Sequence, residues 1–179
     1  TSVTIPGSVT SIGWCAFYEC SSLTSVTIPE SVTSIGDSAF YKCSSLTSVT
    51  IPEGVTEIAS ETFYRCTSLE SVSLPEGLLS IASGGYYDNG DYVWGAFADC
   101  SSLESITIPA GVTSVGDYAF SNCRSLTSVT IPEGATEIAR GTFCECTSLK
   151  SIVIPASVTS IGSKAFYSCT SLTSVTIPE

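Results

Sequence analysis

A 23-residue repeat dominates this sequence. All eight prolines form one series with a spacing of 23 residues, except for one interval of 34. The seven phenylalanines and seven of the nine cysteines form two further series, and a leucine follows each of these cysteines after three residues. This periodicity is typical of a solenoid, in which each repeat buries its apolar side only by stacking on its neighbours. We therefore predict one domain, 1–179, of seven units plus a terminal strand, with an 11-residue insertion at 83–93.

Each unit reads L-x-x-V-x-I-P-x-x-V-x-x-I-x-x-x-A-F-x-x-C. In the second unit, Val26 and Ile28 alternate with polar residues, which predicts a short strand that points both apolar side chains inward. Pro29 lacks a backbone N–H and should end that strand. The V-x-x-I part predicts a second extended piece. The A-F-x-x-C part should direct its apolar residues inward from a short helical, 3-10 or irregular segment.

The unit also resembles a known family. The segment 28–49, IPESVTSIGDSAFYKCSSLTSV, is similar to the BspA-like (Treponema-type) leucine-rich repeats of bacterial and protist surface proteins. The shared features are the proline after the strand, the A-F pair and the closing C-x-x-L, and they cover the chain except for 83–93. The resemblance implies a right-handed α/β-type leucine-rich repeat solenoid with a parallel sheet on its concave face. It also implies a secreted or surface-anchored protein with a role in adhesion.

The charge distribution argues against several partner classes. The net charge is −11, and the six basic residues are scattered singly along the chain. Nucleic acids and anionic membranes require clustered lysine and arginine, so neither is an expected partner. No apolar run approaches the 18 or so residues that a membrane-spanning helix needs, so we expect no membrane insertion by this segment.

The residue types for catalysis are also missing. The chain has no histidine, which removes the usual base of serine and cysteine nucleophiles, so we predict no enzyme, no small-molecule substrate and no cofactor. The seven periodic cysteines should point the same way from successive units, which is poor geometry for disulfides and favours buried free thiols. We predict no metal site. Cys15 and Cys144 fall outside the periodic series, and their state stays open.

The insertion SGGYYDNGDYV at 83–93 is the segment that stacking does not constrain. Its Asn89-Gly90 pair is a strong signal for a hairpin tip. The insertion contains three tyrosines and is followed directly by Trp94, and tyrosine and tryptophan dominate binding hot spots. Trp14 in the first unit matches Trp94, since each lies three residues before a phenylalanine of the series. Two interpretations stay open, a contact with a partner and a cover for the solenoid flank, while a calcium site at its acidic residues is a weaker alternative. The candidate partner-binding residues are Tyr86, Tyr87, Asp88, Asn89, Asp91, Tyr92, Trp94 and Trp14.

Two exposed rows of side chains recur with the repeat. The strands place serine and threonine in two ranks, which superficially resemble an ice-binding surface, although Val153 interrupts one rank. Small polar strand residues more commonly keep an exposed sheet soluble. Glutamates recur one position after the proline, and a solvated edge is the expected interpretation. These glutamates are Glu30, Glu53, Glu76, Glu133 and Glu179.

The sequence therefore predicts a protein-interaction or adhesion segment of an extracellular or cell-surface protein. Its expected partner is a surface or matrix protein of a host or neighbouring cell. A structural stalk that displays another domain is the alternative, and binding to ice or crystals is a third. Because both ends fall within the repeat pattern without polar caps, we expect the chain to be a fragment of a longer protein.

Overall fold

The computed structural model describes residues 1–86 and 92–177. These residues form a parallel β-solenoid of about seven turns, and no helix occurs among them. A first row of strands follows the S-V-T segments: β1 (Ser2–Thr4), β3 (Ser25–Thr27), β5 (Ser48–Thr50), β7 (Ser71–Ser73), β11 (Ser105–Thr107), β13 (Ser128–Thr130), β15 (Ser151–Val153) and β17 (Ser174–Thr176). The second row is shorter: β2 (Ser11–Ile12), β4 (Ser34–Ile35), β6 (Glu57–Ile58), β8 (Ser80–Ile81), β12 (Ser114–Val115), β14 (Glu137–Ile138) and β16 (Ser160–Ile161). The insertion adds β9 (Gly85–Tyr86) and β10 (Tyr92–Val93).

The first row confirms the predicted alternation. In β3, β5, β11, β13 and β15 the central residue is buried and the two flanking residues are exposed. Wherever these strands pair, equivalent residues of successive turns lie opposite one another, as Ser2 does with Ser25 and Ser48 with Ser71. The side chains of one repeat position therefore stack in ranks along the solenoid.

The first row is not one continuous sheet. Its strands pair in the orders β1-β3-β5-β7, β11-β13 and β15-β17. No ladder joins β7 to β11 or β13 to β15, although each pair lies side by side. At the turn that carries the insertion, the first row is interrupted between β7 and β11. The second row is continuous there, because β8 pairs with both β6 and β12.

The A-F-x-x-C segment is irregular, and its hydrogen bonds explain why it forms no helix. Cys15 and Phe17 donate their backbone N–H groups to Asp37 O at 3.0 Å and Ala39 O at 2.7 Å in the next turn. Between them, Ala16 donates locally to Gly13 O at 3.2 Å. A helix would use every one of these donors within its own segment. The alternation instead lets each turn bond both to itself and to its neighbour.

This path requires left-handed backbone at two positions in nearly every turn. Non-glycine residues occupy almost all of them, at a cost of about 1–2 kcal/mol each relative to ordinary conformations. Hydrogen bonds to the next turn hold most of these residues in place, as from Cys15 to Asp37 and from Glu19 to Tyr41. The non-glycine residues with φ between 53° and 62° are Cys15, Glu19, Ser38, Lys42, Glu61, Arg65, Asp99, Tyr118, Asn122, Glu145, Lys164 and Ser168.

Glycine should relieve this strain where the side chain has no packing role. Ser168 is exposed with φ of 58°, so Ser168→Gly is expected to raise the free energy of unfolding by about 0.5–1 kcal/mol. Exposed Ser171, which is not among the positive-φ residues, provides the control, and Ser171→Gly should lower stability slightly. Urea unfolding of both variants tests this, and destabilisation by Ser168→Gly would contradict it.

A column of stacked phenylalanines fills the centre of the solenoid. Successive rings lie 5.1–5.8 Å apart between centroids and are nearly parallel. Phe63 and Phe97 flank the insertion, yet their rings still stack at 5.3 Å and 9°. The longer turn therefore leaves the core unbroken. The column consists of Phe17, Phe40, Phe63, Phe97, Phe120, Phe143 and Phe166.

A second column consists of thiols. Each of six cysteines donates from Sγ to the carbonyl oxygen of the phenylalanine one turn earlier, at 3.1–3.3 Å; they are Cys43, Cys66, Cys100, Cys123, Cys146 and Cys169. Burial raises the pKa of the Cys43 thiol to about 12. All nine cysteines are free. The predicted burial of the periodic series holds for these six, whereas Cys20 of the first turn is exposed. Of the two outside the series, Cys144 is buried and Cys15 is half-buried.

Candidate interaction surfaces

The insertion enters and leaves the solenoid at a single repeat position. Gly84 donates its N–H to Asp117 O at 2.6 Å, in the way that Cys15 donates to the following turn. Gly95 accepts from the N–H of Ala98 at 3.1 Å, in the way that the Cys15 carbonyl accepts from Tyr18. Gly84 thus makes the donor bond and Gly95 the acceptor bond that a single residue, such as Cys15, makes in a regular turn. The chain between them is not needed for the stacking of the turns.

The inserted segment begins and ends as a hairpin. Strands β9 and β10 are antiparallel, with Tyr86 opposite Tyr92 and Gly85 opposite Val93, as the Asn89-Gly90 signal predicts. The tip, residues 87–91, lies outside the described residues, as do the side chains at 86 and 92. The predicted contacts of Tyr86, Tyr87, Asp88, Asn89, Asp91 and Tyr92 with a partner therefore remain predictions.

Trp94 packs against the flank of the solenoid. Its ring stacks on that of Tyr64 at 5.3 Å and 6°, and its backbone N–H donates to Glu61 Oε1 at 3.0 Å. Tyr18 and Tyr41 continue the stack on the other side of Tyr64. We call Tyr18, Tyr41, Tyr64 and Trp94 the aromatic column. These contacts fix the end of the hairpin to the flank, so Trp94 does cover the solenoid.

Lysine and arginine side chains line the aromatic column. Lys42 Nζ lies 5.1 Å from the centre of the Tyr41 ring and 2.8 Å from Glu19 Oε1. Arg65 lies over the ring of Tyr64 at 5.3 Å, and burial raises the pKa of that phenol to about 12. The regular tyrosine spacing could have revealed the first three members of the column. Trp94 joins it from within the insertion, where no repeat position indicates its place.

Trp14 is the most exposed large apolar side chain of the described residues, at 76%. It lies three residues before Phe17, as Trp94 does before Phe97, but the two tryptophans are not structurally equivalent. The backbone of Trp14 belongs to the stack, where Gly36 of the next turn packs against it. The structure therefore places the two predicted tryptophans in the first and fourth turns with different environments.

The first row of strands presents a surface of small hydroxyl groups, which we call the strand face. Its exposed ranks are serines at the first strand position and mostly threonines at the third. The pairing of this row is interrupted in two places, so the ranks do not form one continuous sheet. A cavity of about 400 Å³ lies over β5, β7 and β11, and one of about 240 Å³ lies between β13 and β15.

The glutamate row at the edge of this face is partly built into the backbone. The Glu30 carboxylate accepts the N–H of Glu53 at 3.4 Å, and the Glu53 carboxylate accepts that of Glu76 at 3.2 Å. Such bonds offset the repulsion between like charges one turn apart. Within residues 1–86 and 92–177, no cluster of three or more potential ligands could hold a metal ion. That same part of the chain contains no helix long and apolar enough to cross a membrane.

Comparison with solved structures finds close similarity to bacterial leucine-rich repeat proteins. One from Bacteroides ovatus is 36% identical with a TM-score of 0.90, and the match covers 99% of this chain and 45% of that one. One from T. pallidum is 30% identical with a TM-score of 0.83, over 96% of this chain and 78% of that one. One from Eubacterium ventriosum is 26% identical with a TM-score of 0.77, over 100% and 44% of the respective chains. The chain thus spans less than half of the first of these proteins.

The family comparison agrees with the repeat geometry. Six copies of the BspA type leucine rich repeat region match residues 1–90 and 94–179. The unmatched residues fall within the insertion. A search of curated proteins finds no match. With its repeats matched along almost the whole sequence and its turns superposing on solved relatives, the chain belongs to the BspA-type leucine-rich repeat family.

Proposed function

We propose that this chain is a protein-interaction segment of a cell-surface or secreted protein that adheres to host or neighbouring cells. The observation that carries the proposal is the hairpin between Gly84 and Gly95, because the turns before and after it stack without a break. A segment that is unnecessary for stacking, rich in tyrosine and fixed beside the aromatic column has the composition of a binding surface. Membership in the BspA-type family supports an interaction role and an extracellular location.

The partner in this proposal is a surface or matrix protein. Leucine-rich repeat folds generally bind proteins through extended surfaces. The hairpin would contribute tyrosine side chains as anchors, and the half-buried Trp94 would fix their base. Trp14 is the second candidate contact because its exposed ring is not used in the core.

A deletion that preserves the repeat tests the proposal. Removing residues 85–95 joins Gly84 to Ala96 and restores the 23-residue period, because it removes 11 residues from the interval of 34. We expect the stack to remain folded, with Tm changed by only a few degrees, since Gly84 already makes the stacking hydrogen bond. Binding to immobilised extracellular-matrix proteins and to cultured cells, measured by surface plasmon resonance and flow cytometry, should be lost.

A matched control makes the result interpretable. The variant Tyr167→Ser removes an exposed aromatic residue from the seventh turn, which is not a candidate contact, and leaves the hairpin intact, so it separates a hairpin contact from non-specific binding by exposed aromatic residues. Full binding by the folded deletion variant would show that the hairpin is not the contact. A stalk without interaction function would give no saturable binding even with the wild-type chain.

A further inference from the structure

Each of the two cavities of the strand face includes one interruption of its pairing. The larger extends over β5, β7 and β11, where no ladder joins β7 to β11, and the smaller lies where none joins β13 to β15. Unpaired strand edges expose backbone donors and acceptors. Both cavities are lined by strand hydroxyls, by a glutamate and by the proline of the next turn. The same local arrangement therefore occurs twice on one surface.

The glutamates in these cavities lack the hydrogen bond to the next turn that Glu30 and Glu53 make. Glu30 and Glu53 each accept a backbone N–H from the next turn. Glu76 lines the larger cavity and Glu133 the smaller, and neither carboxylate has a hydrogen-bond or ion-pair partner among the described residues. The backbone N–H groups at the equivalent position of the next turn belong to Ala110 and Ala156, and within the described residues neither is hydrogen-bonded to these carboxylates. Their charge is available to a ligand.

The surroundings of the larger cavity add negative charge and no positive charge. Glu70 and Glu104 precede β7 and β11, and the backbone N–H of Glu104 points to Glu70 O at 3.5 Å. No lysine or arginine lines either cavity, although Lys150 directly precedes β15 beside the smaller one. The three ion pairs of the described residues involve Glu19, Asp99 and Glu145 instead. The chain as a whole carries a net charge of −11, which would attract a cationic partner further.

We propose that the strand face binds an extended basic peptide segment, with Glu76 and Glu133 each receiving one cationic side chain. The two glutamates belong to turns that start at Pro75 and Pro132, two turns apart. With strands about 4.8 Å apart, the two carboxylates are separated by about 10 Å along the solenoid. A polyproline II segment repeats every three residues, or about 9 Å, so lysines at every third position match this spacing.

The test uses a fluorescein-labelled peptide of three Lys-Pro-Pro repeats and the full 179-residue chain. Fluorescence anisotropy at moderate salt should give saturable binding with a Kd of about 0.1–1 mM. The double variant Glu76→Gln/Glu133→Gln should weaken binding at least fivefold. The same peptide with acetylated lysines should not bind, because acetylation removes the charge.

The matched control removes the same net charge from the other row of strands. Glu57 and Glu137 are exposed on β6 and β14, so Glu57→Gln/Glu137→Gln should change Kd less than twofold. Circular dichroism of both double variants confirms that they are folded. Equal weakening by both would mean general charge attraction and overturn the site. The absence of a saturable anisotropy change with the wild-type chain at up to about 2 mM would also overturn it. Deletion of the hairpin should leave this binding unchanged.

Discussion

Phe120→Ala is expected to lower the free energy of unfolding by about 3–5 kcal/mol, the usual range for removing a fully buried aromatic side chain. Phe120 is fully buried, and its ring stacks on Phe97 at 5.3 Å and on Phe143 at 5.7 Å. Because each turn contacts only its neighbours, the loss weakens the two interfaces through which the halves of the solenoid cooperate. Guanidinium unfolding followed by circular dichroism should show an earlier and broader transition.

The position within the column provides the control. Phe17 occupies the same repeat position in the first turn, where it is only half-buried and has one stacked neighbour in the chain. Phe17→Ala should therefore cost roughly half as much as Phe120→Ala, since less apolar area is lost. Equal effects at the two positions would show that the column does not act through burial and stacking on both faces.

Gly95→Ala should destabilise the solenoid by more than about 3 kcal/mol, since overpacking against rigid backbone cannot be relieved by a side-chain rotation. A Cβ atom at Gly95 would lie within 3.0 Å of the carbonyl group of Tyr118 in the next turn. Relief would require separating the fourth and fifth turns, which would weaken the hydrogen bonds from Phe97 to Ala119 and from Asp99 to Ser121.

Gly7→Ala is the corresponding harmless substitution. A Cβ at Gly7 meets no atom within 4 Å, so its effect on Tm should be within about 2 °C. Thermal unfolding of the two variants, with intrinsic tryptophan fluorescence as a second probe, measures the difference. An unchanged Tm in Gly95→Ala would contradict the close packing of Gly95 against the carbonyl group of Tyr118.

The sequence predicted the fold well because each repeat position has one environment. Val26 and Phe40 could be assigned to the core from the pattern alone, and both are buried. The turn segment was harder to foresee. Its path depends on hydrogen bonds such as that from Cys15 to Asp37, which join residues 22 positions apart and leave no local signal except the absence of a strong helix pattern.

The candidate surfaces were only partly predictable. Exposure of Trp14 and the hairpin strands followed from composition and turn chemistry, and the insertion was recognisable as the break in the period. The stacking of Trp94 on Tyr64 was not, because it depends on where the hairpin returns to the flank. The lack of a hydrogen-bond partner for the Glu76 and Glu133 carboxylates was also not predictable from the sequence. Interruption of pairing between neighbouring strands depends on the fit of whole turns and not on any single residue.

The thiol column has a chemical consequence for a protein with nine cysteines. Disulfide exchange proceeds through the thiolate, and a thiol with a pKa of about 12, such as that of Cys43, is ionised to only about one part in 100,000 at neutral pH. Burial raises the pKa of the other five thiols in the column as well. Oxidants would therefore meet the accessible Cys15 and Cys20 first. Most of the sulfur is kinetically protected, so an oxidising exterior need not cross-link the solenoid.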